Sequence, residues 1–161
     1  MDASVTKILY CTDLSQNAIY AFKHAAYLAK TTGAEIHILH VLVELPTEAM
    51  VTIQSYMMSA KGRHDFAESR GEVARAHLDK CHDEFFAELA EEDQSIRDQI
   101  KSIEVVEAYP AEQILKSSVK LGCDMIVMGA HEKGLTHTFL GSVAKSVLRR
   151  SRIPTLIVPL P

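Results

Sequence analysis

Long apolar runs are missing from this chain of 161 residues. Runs such as Met125 to Met128 and Leu156 to Val158 fall far short of the about 18 residues that a membrane-spanning helix needs, so no segment is expected to cross a bilayer. An excess of one charge is missing too. Seventeen basic and 21 acidic side chains give a net charge of -4 and a pI near 6.0. No global field therefore draws nucleic acid or an anionic membrane, and any bound anion must be held locally. Cysteine is scarce: Cys11, Cys81 and Cys123 are odd in number and far apart, which suits reduced thiols in a cytosol better than bridges. The residues from Met1 to Lys7 carry no charged leader, long apolar stretch or cleavage-site pattern, and the expectation is a cytoplasmic protein. There is no internal repeat and no low-complexity tract. What is present, 47% apolar and 24% charged residues, excludes a disordered, collagen-like or disulfide-framework protein, and the length suits one domain over 1–161.

Short β-branched or apolar runs alternate with longer stretches of helical period. Val5 to Cys11, Glu35 to Val43, Ile103 to Glu107, Asp124 to Met128 and Pro154 to Val158 read as five strands. Most are apolar on consecutive residues, as parallel strands covered on both faces must be. A first helix follows Asp13 with Ser15 as N-cap, buries Ala18, Phe22, Ala25, Ala26 and Ala29, and stops at Gly33. Another opens at Pro110, has Ile114, Leu115 and Ser118 on its inner face, and stops at Gly122. The last starts near Gly141 and Ser142, buries Val143, Ala144, Val147 and Leu148, and ends in Arg149, Arg150 and Arg152, cations suited to a helix C-terminus.

Between the second and third strands, Val73, His77, Leu78, Cys81, Phe85 and Leu89 keep a helical period from Phe66 onward, and no Gly or Pro interrupts Glu72 to Ala108. One long amphipathic helix is predicted there. Before it, Pro46 to Gly62, with Met50, Tyr56, Met57 and Met58, is expected to hold a short helix and a mobile excursion. Five strands alternating with four helices argue for an α/β fold, a doubly wound open parallel five-stranded sheet with helices on both faces. Ligands of such sheets bind beyond the carboxyl ends of the strands, which directs attention to the loops after strands one, two and four.

The loop after strand one, Cys11-Thr12-Asp13-Leu14-Ser15, has no glycine. The fingerprint G-x-G-x-x-G is absent, which excludes a Rossmann dehydrogenase. Asp13 either accepts hydrogen bonds from a ribose or base in the crevice, or caps the first helix. After strand four the chain reads Gly129-Ala130-His131-Glu132-Lys133-Gly134, then Gly141-Ser142 opening a helix. Glycines let the backbone approach an anion, and a helix N-terminus presents N–H groups with a partial positive charge. This reads as a phosphate cradle or, in the plainer alternative, as a flexible loop ending in an N-cap. It is not a P-loop, because Leu135 stands where the lysine belongs and the helix starts too late.

Strand one with Asp13, the second strand reaching His40-Val41, Tyr109 to Leu115, and above all Asp124 to Gly129 through Gly141-Ser142-Val143-Ala144 to Pro154–Pro159 resemble a universal stress protein along the whole chain. The resemblance implies the sheet order 3-2-1-4-5 and a homodimer through the C-terminal strand edge. It implies an adenine nucleotide (ATP, ADP or AMP), with Mg2+ as a companion, in a stress-response regulatory protein with at most slow ATP hydrolysis. It sets adenine and ribose near Thr12, Asp13 and Val41, and the phosphates near Met128, Gly129, Gly141, Ser142 and Val143; His131 and His137 read from the sequence as loop residues facing phosphate. The family's glycine motif has the form G-x2-G-x9-G-[ST]. Here Glu132 replaces the second glycine, and Gly141 follows Gly129 by twelve residues instead of thirteen, so Gly134 is expected to supply the turn. A carboxylate there repels a triphosphate unless Mg2+ or Lys133 intervenes, which weighs against ATP more than against ADP or AMP. The alternative is a nucleotide-free dimeric interaction module of the same fold.

Other constellations compete. Ser142 with His131 or His137 lacks the G-x-S-x-G turn of a hydrolase, and an N-cap serine is the simpler account. His77, Cys81 and His82 have ligand spacing on a helix, but no further ligand follows, so a core-facing pair is the simpler reading. His37 and His40 are expected at a strand end as satisfied polar groups. The acidic run Glu88, Glu91, Glu92 and Asp93 reads as a solvated face. A phosphoacceptor receiver domain fails because Tyr109, Pro110 and Pro159 occupy the regions of its acid and lysine.

Overall fold

Consecutive apolar residues in a strand need cover on both faces, and the topology supplies it. The structure, a computed structural model, describes residues 4–56, 59–130 and 140–159. Its strands are β1 (Lys7–Thr12), β2 (Glu35–Val43), β3 (Ile100–Ala108), β4 (Met125–Gly129) and β5 (Thr155–Val158). They form one parallel sheet in the order β3-β2-β1-β4-β5, the doubly wound arrangement expected. The helices are α1 (Gln16–Thr32), α2 (Thr47–Tyr56), α3 (Ala60–Ala87), α4 (Pro110–Leu121) and α5 (Ser142–Arg150), with a 3-10 helix over Glu91–Gln99. Among the described residues, no helix is long and apolar enough to cross a membrane.

The side-chain alternation of β1 divides the core. Ile8 and Tyr10, with Ile36, Ile38 and Val127 beside them, pack under α1 and α3. Leu9 and Cys11, with Leu39, Ile126 and Met128, pack under α4 and α5. Ser15 caps α1, its hydroxyl accepting from the Ala18 N–H at 3.2 Å, and Gly33 ends it in the left-handed region at φ 75°. The Ala-rich inner face of α1 lets that helix approach the sheet closely, and all five of its predicted core residues are buried. Asp124 joins the start of β4 to β1: one carboxylate oxygen accepts from the Thr6 N–H (2.8 Å), the Thr6 hydroxyl (2.7 Å) and the Lys7 N–H (2.9 Å). These bonds hold its carboxyl below the usual range.

The middle of the chain departs from expectation. Among the described residues there are five α-helices, of which α2 is the short helix expected after Pro46; α3 begins at Ala60, so the last three residues of the expected excursion are already its first turn. Ser59 accounts for this, because its hydroxyl accepts from the Gly62 N–H at 3.0 Å and the cap offsets the about 1 kcal/mol that glycine costs in a helix. Met57 and Met58 lie outside the described residues. α3 stops before Leu89, and the acidic run turns into the 3-10 helix, where Asp93 pairs with Lys30 of α1 instead of being only solvated. Val73, His77 and Leu148 have helical spacing but face outward, since the buried stripe of each helix is narrower than its apolar pattern.

Among the described residues, two buried ring nitrogens have no hydrogen-bond partner. His37 is inside β2, not at its end; its Nδ1 meets the Ser102 hydroxyl at 2.7 Å while Nε2 is buried without a hydrogen bond, 4.0 Å from the Glu35 carboxylate. His82 stacks on Phe22 at 5.0 Å, and its Nε2 is likewise buried and unpartnered. Desolvation lowers both pKa values. Each ring is neutral in the fold, whereas the unfolded chain protonates near pH 6.5, so this stability is present above that value and lost as pH falls below it. Urea midpoints should therefore drop between about pH 7 and pH 5, and His82→Phe should flatten that slope.

Candidate functional site

β1 delivers the chain to α1 on one face of the sheet, while β4 delivers it to α5 on the other. The adjacent strand ends part, and a crevice opens at the point where the order reverses. A cavity of about 470 Å³ lies there on the α4 and α5 side. Eight of the residues singled out from the sequence line it: Thr12 and Asp13 after β1, Val41 of β2, Met128 and Gly129 of β4, and Gly141, Ser142 and Val143 at the start of α5. His131, Glu132, Lys133, Gly134 and His137 lie outside the described residues.

The turn after β1 is built by its own side chains. The Thr12 hydroxyl accepts from the Leu14 N–H at 3.0 Å, and Asp13 Oδ1 accepts from the Ser15 N–H at 2.9 Å. Between them Leu14 has φ 62°, a left-handed conformation costly for a residue with a Cβ and typical of sites where backbone is held for a purpose. The carboxylate thus shapes the turn, whereas Ser15 is the residue that caps α1. Asp13 is exposed and retains a second oxygen for hydrogen bonding. His40, next to Thr12 in register, bonds the Thr12 carbonyl at 2.8 Å.

The opposite wall is tied just as locally. The Gly141 N–H donates to the Ala130 carbonyl and the Ala130 N–H to that of Val158, both at 2.8 Å. The chain leaving β4 and the chain entering α5 are therefore joined at their base. α5 has glycine as N-cap, with no side-chain cap, and Arg149 and Arg150 in its last turn. Its N-terminal end carries the positive end of the helix dipole, and that end borders the cavity.

The remaining lining is apolar. Leu39, Val43, Pro110, Ile114 and Ala144 belong to it and were not anticipated, because in sequence they are indistinguishable from core residues. Cys11 also lines it; burial pushes its thiol far up, so it is a neutral wall and not a nucleophile. The ligand-spaced residues His77, Cys81 and His82 are divided, and the core-facing pair expected of His77 and Cys81 is not formed, with His77 exposed and Cys81 and His82 buried. Among the described residues, only His64, Asp65 and Glu68, all exposed, have ligating atoms within 4.8 Å of one another.

These features define a doubly wound α/β protein with an apolar-walled crevice at its switch point and a helix N-terminus on the rim. The sequence profile described as the universal stress protein family matches residues 4–159. The chain belongs to that family. Universal stress protein MJ0577 of Methanocaldococcus jannaschii is 30% identical over 159 residues, covering 98% of this chain and 97% of the relative. A solved structure of MJ0577 matches with a TM-score of 0.73 at 27% identity, covering 98% and 97% of the two chains. Universal stress protein YxiE of Bacillus subtilis is 32% identical over 154 residues, 94% of this chain and 97% of its own. A universal stress protein solved in complex with cAMP shares the fold, with a TM-score of 0.60 at 18% identity and 97% and 98% coverage.

The left-handed turn yields a direct check. Leu14→Val removes one methylene, worth about 0.8 kcal/mol, but places a β-branched residue at positive φ. Urea denaturation should show a loss larger than the methylene alone, by about 1 kcal/mol.

Proposed function

We propose that the crevice binds an adenine nucleotide and that the protein is a nucleotide-responsive regulator in a stress response. The observation that carries this reading is the convergence of Asp13, Val41, Gly129, Gly141 and Ser142 on one cavity of about 470 Å³, within the size range of small-ligand sites. Its parts match the parts of the ligand. Apolar walls at Leu39, Val41 and Ile114 suit a base, the free oxygen of Asp13 suits ribose hydroxyls, and the α5 N-terminus suits phosphate. The solved cAMP complex supports the reading from the side of the fold, which accommodates an adenine nucleotide in that protein. In the proposed complex Thr12, Asp13 and Val41 hold the nucleoside, while Met128, Gly129, Gly141, Ser142 and Val143 hold the phosphates. His131 and Gly134 complete the cradle, and Mg2+ accompanies the longer phosphate tails.

Calorimetry with ATP, ADP and AMP, with and without Mg2+, tests it. Binding is expected, with ATP gaining most from Mg2+ because Glu132 repels the longest tail; no heat with any of the three at millimolar ligand would overturn the reading in favour of a nucleotide-free module. Gly141→Val should abolish binding with the fold retained, since a branched side chain would occupy the space beside the α5 N–H groups. Ser142→Ala should cost about 1 kcal/mol, the value of one hydrogen bond.

The proposed assembly is a homodimer. β5 forms one edge of the sheet, between Pro154 and Pro159, and its unpaired backbone can be satisfied by an antiparallel copy across a two-fold axis. Sedimentation at micromolar concentration should give a dimer, and a monomer would exclude it.

A further inference from the structure

A second hollow lies at the same end of the sheet, on the opposite face. It has a volume of about 360 Å³ and sits between the ends of β1 and β2 and the helix α3. Asp13 and Leu14 line it from the turn after β1, His40 from β2, and Arg70 and His77 from α3. Asp13 borders this cavity and the crevice alike.

His40 carries the inference. Its residue is only 7% exposed, and its Nδ1 lies 2.8 Å from the Thr12 carbonyl oxygen. A carbonyl only accepts, so Nδ1 bears the proton, and Nε2 of the neutral ring keeps a lone pair. No described residue bonds that nitrogen. It is also not one of the fully buried orphan atoms, so it opens on the cavity that its ring lines. An imidazole fixed through one N–H to a backbone carbonyl, with its other nitrogen free, is the arrangement in which histidine ligates metal ions. Two further residues of suitable donor type, His77 and Asp13, line the same cavity from exposed positions. The guanidinium of Arg70 is already committed, to Glu107 at 2.6 Å and to the Val43 carbonyl at 3.0 Å.

We propose that His40, His77 and Asp13 form a site for a borderline divalent transition-metal ion of the Zn2+ type. Two imidazoles and one carboxylate suit that ion and leave one position open for water or an exogenous ligand. The three donors have not converged in this structure, where, among the described residues, only the group His64, Asp65 and Glu68 lies within mutual reach. Binding requires the exposed side chains of His77 and Asp13 to rotate toward the buried, pre-oriented His40. The site stands independently of the nucleotide reading, although the two share Asp13.

The test is Zn2+ titrated by calorimetry into the EDTA-treated, nucleotide-free full chain, with the visible spectrum of the Co2+ form as a second readout. One ion per chain is expected to bind. His77→Ala, a change at an exposed helical position, should weaken Zn2+ by more than the about 10- to 100-fold that loss of a second-shell partner causes. His64→Ala should leave Zn2+ affinity unchanged. AMP affinity should be the same in His77→Ala as in the parent chain, so failure of the crevice and failure of the metal site register separately. Absence of Zn2+ binding at micromolar concentrations, unaltered affinity in His77→Ala, loss of it in His64→Ala, or a thiolate charge-transfer band in the Co2+ spectrum would overturn the proposal.

Discussion

The carboxyl end of β1 is where the strand order reverses, and most of what distinguishes this molecule follows from that position. β1 is paired on both sides, to β2 and β4, so its backbone is fully used up to Thr12. Beyond it the chain must turn to one face while the chain after β4 turns to the other. No helix can cross the gap between them, so the crevice is a consequence of winding direction and not of any particular loop. The residues at the turn then have to satisfy backbone groups that the sheet has released. Thr12 and Asp13 do so with their own oxygens, and the left-handed Leu14 is the local cost.

How far this could be read in the sequence depended on whether a feature was local. Ser15, Gly33, Pro110 and Gly122 mark helix ends through backbone chemistry confined to one turn, and α1 and α4 have the predicted limits. β2 likewise spans the predicted Glu35–Val43, because its apolar run ends in charged and proline-bearing sequence. α3 was harder: its first turn, through Gly62, fell in the expected excursion, yet Ser59 caps a helix there. The 3-10 helix was concealed because its anchors are distant. Gln99 donates to the Ala29 and Ala34 carbonyls across the chain, and Asp93 meets Lys30.

The candidate site divides in the same way. Glycines and the small polar residues at strand ends stood out because their composition is unusual, and the structure gathers five of them, Thr12, Asp13, Gly129, Gly141 and Ser142, around one cavity. The apolar wall did not stand out, since Leu39 and Ile114 pack in the core and line the cavity with the same chemistry. Histidine was misread most. His77 has the spacing of a core residue but is exposed, whereas His37 and His82 are buried with one nitrogen each lacking a hydrogen bond. Periodicity reports which face a residue occupies, but not whether a hydrogen-bond partner awaits it there.

Net charge bears on how an anion could be held here. At -4 the chain repels anions at long range, and the Debye length of about 8 Å in physiological salt leaves little of that field, or of any opposing one, beyond immediate neighbours. Affinity for phosphate at the α5 N-terminus must then come from short contacts. A helix terminus acts within its first turn, and its effect grows as the surroundings become less polar. The apolar walls from β2 and α4 therefore have two functions in the proposed complex: they cover a base directly, and by excluding water they strengthen the few dipoles aimed at the phosphate. Two arginines at the far end of α5 complement the dipole from the last turn, so they stabilise the helix and, in the proposed complex, leave recognition to the backbone. A protein that binds through backbone dipoles rather than surface cations can keep an acidic exterior and still hold an anionic nucleotide.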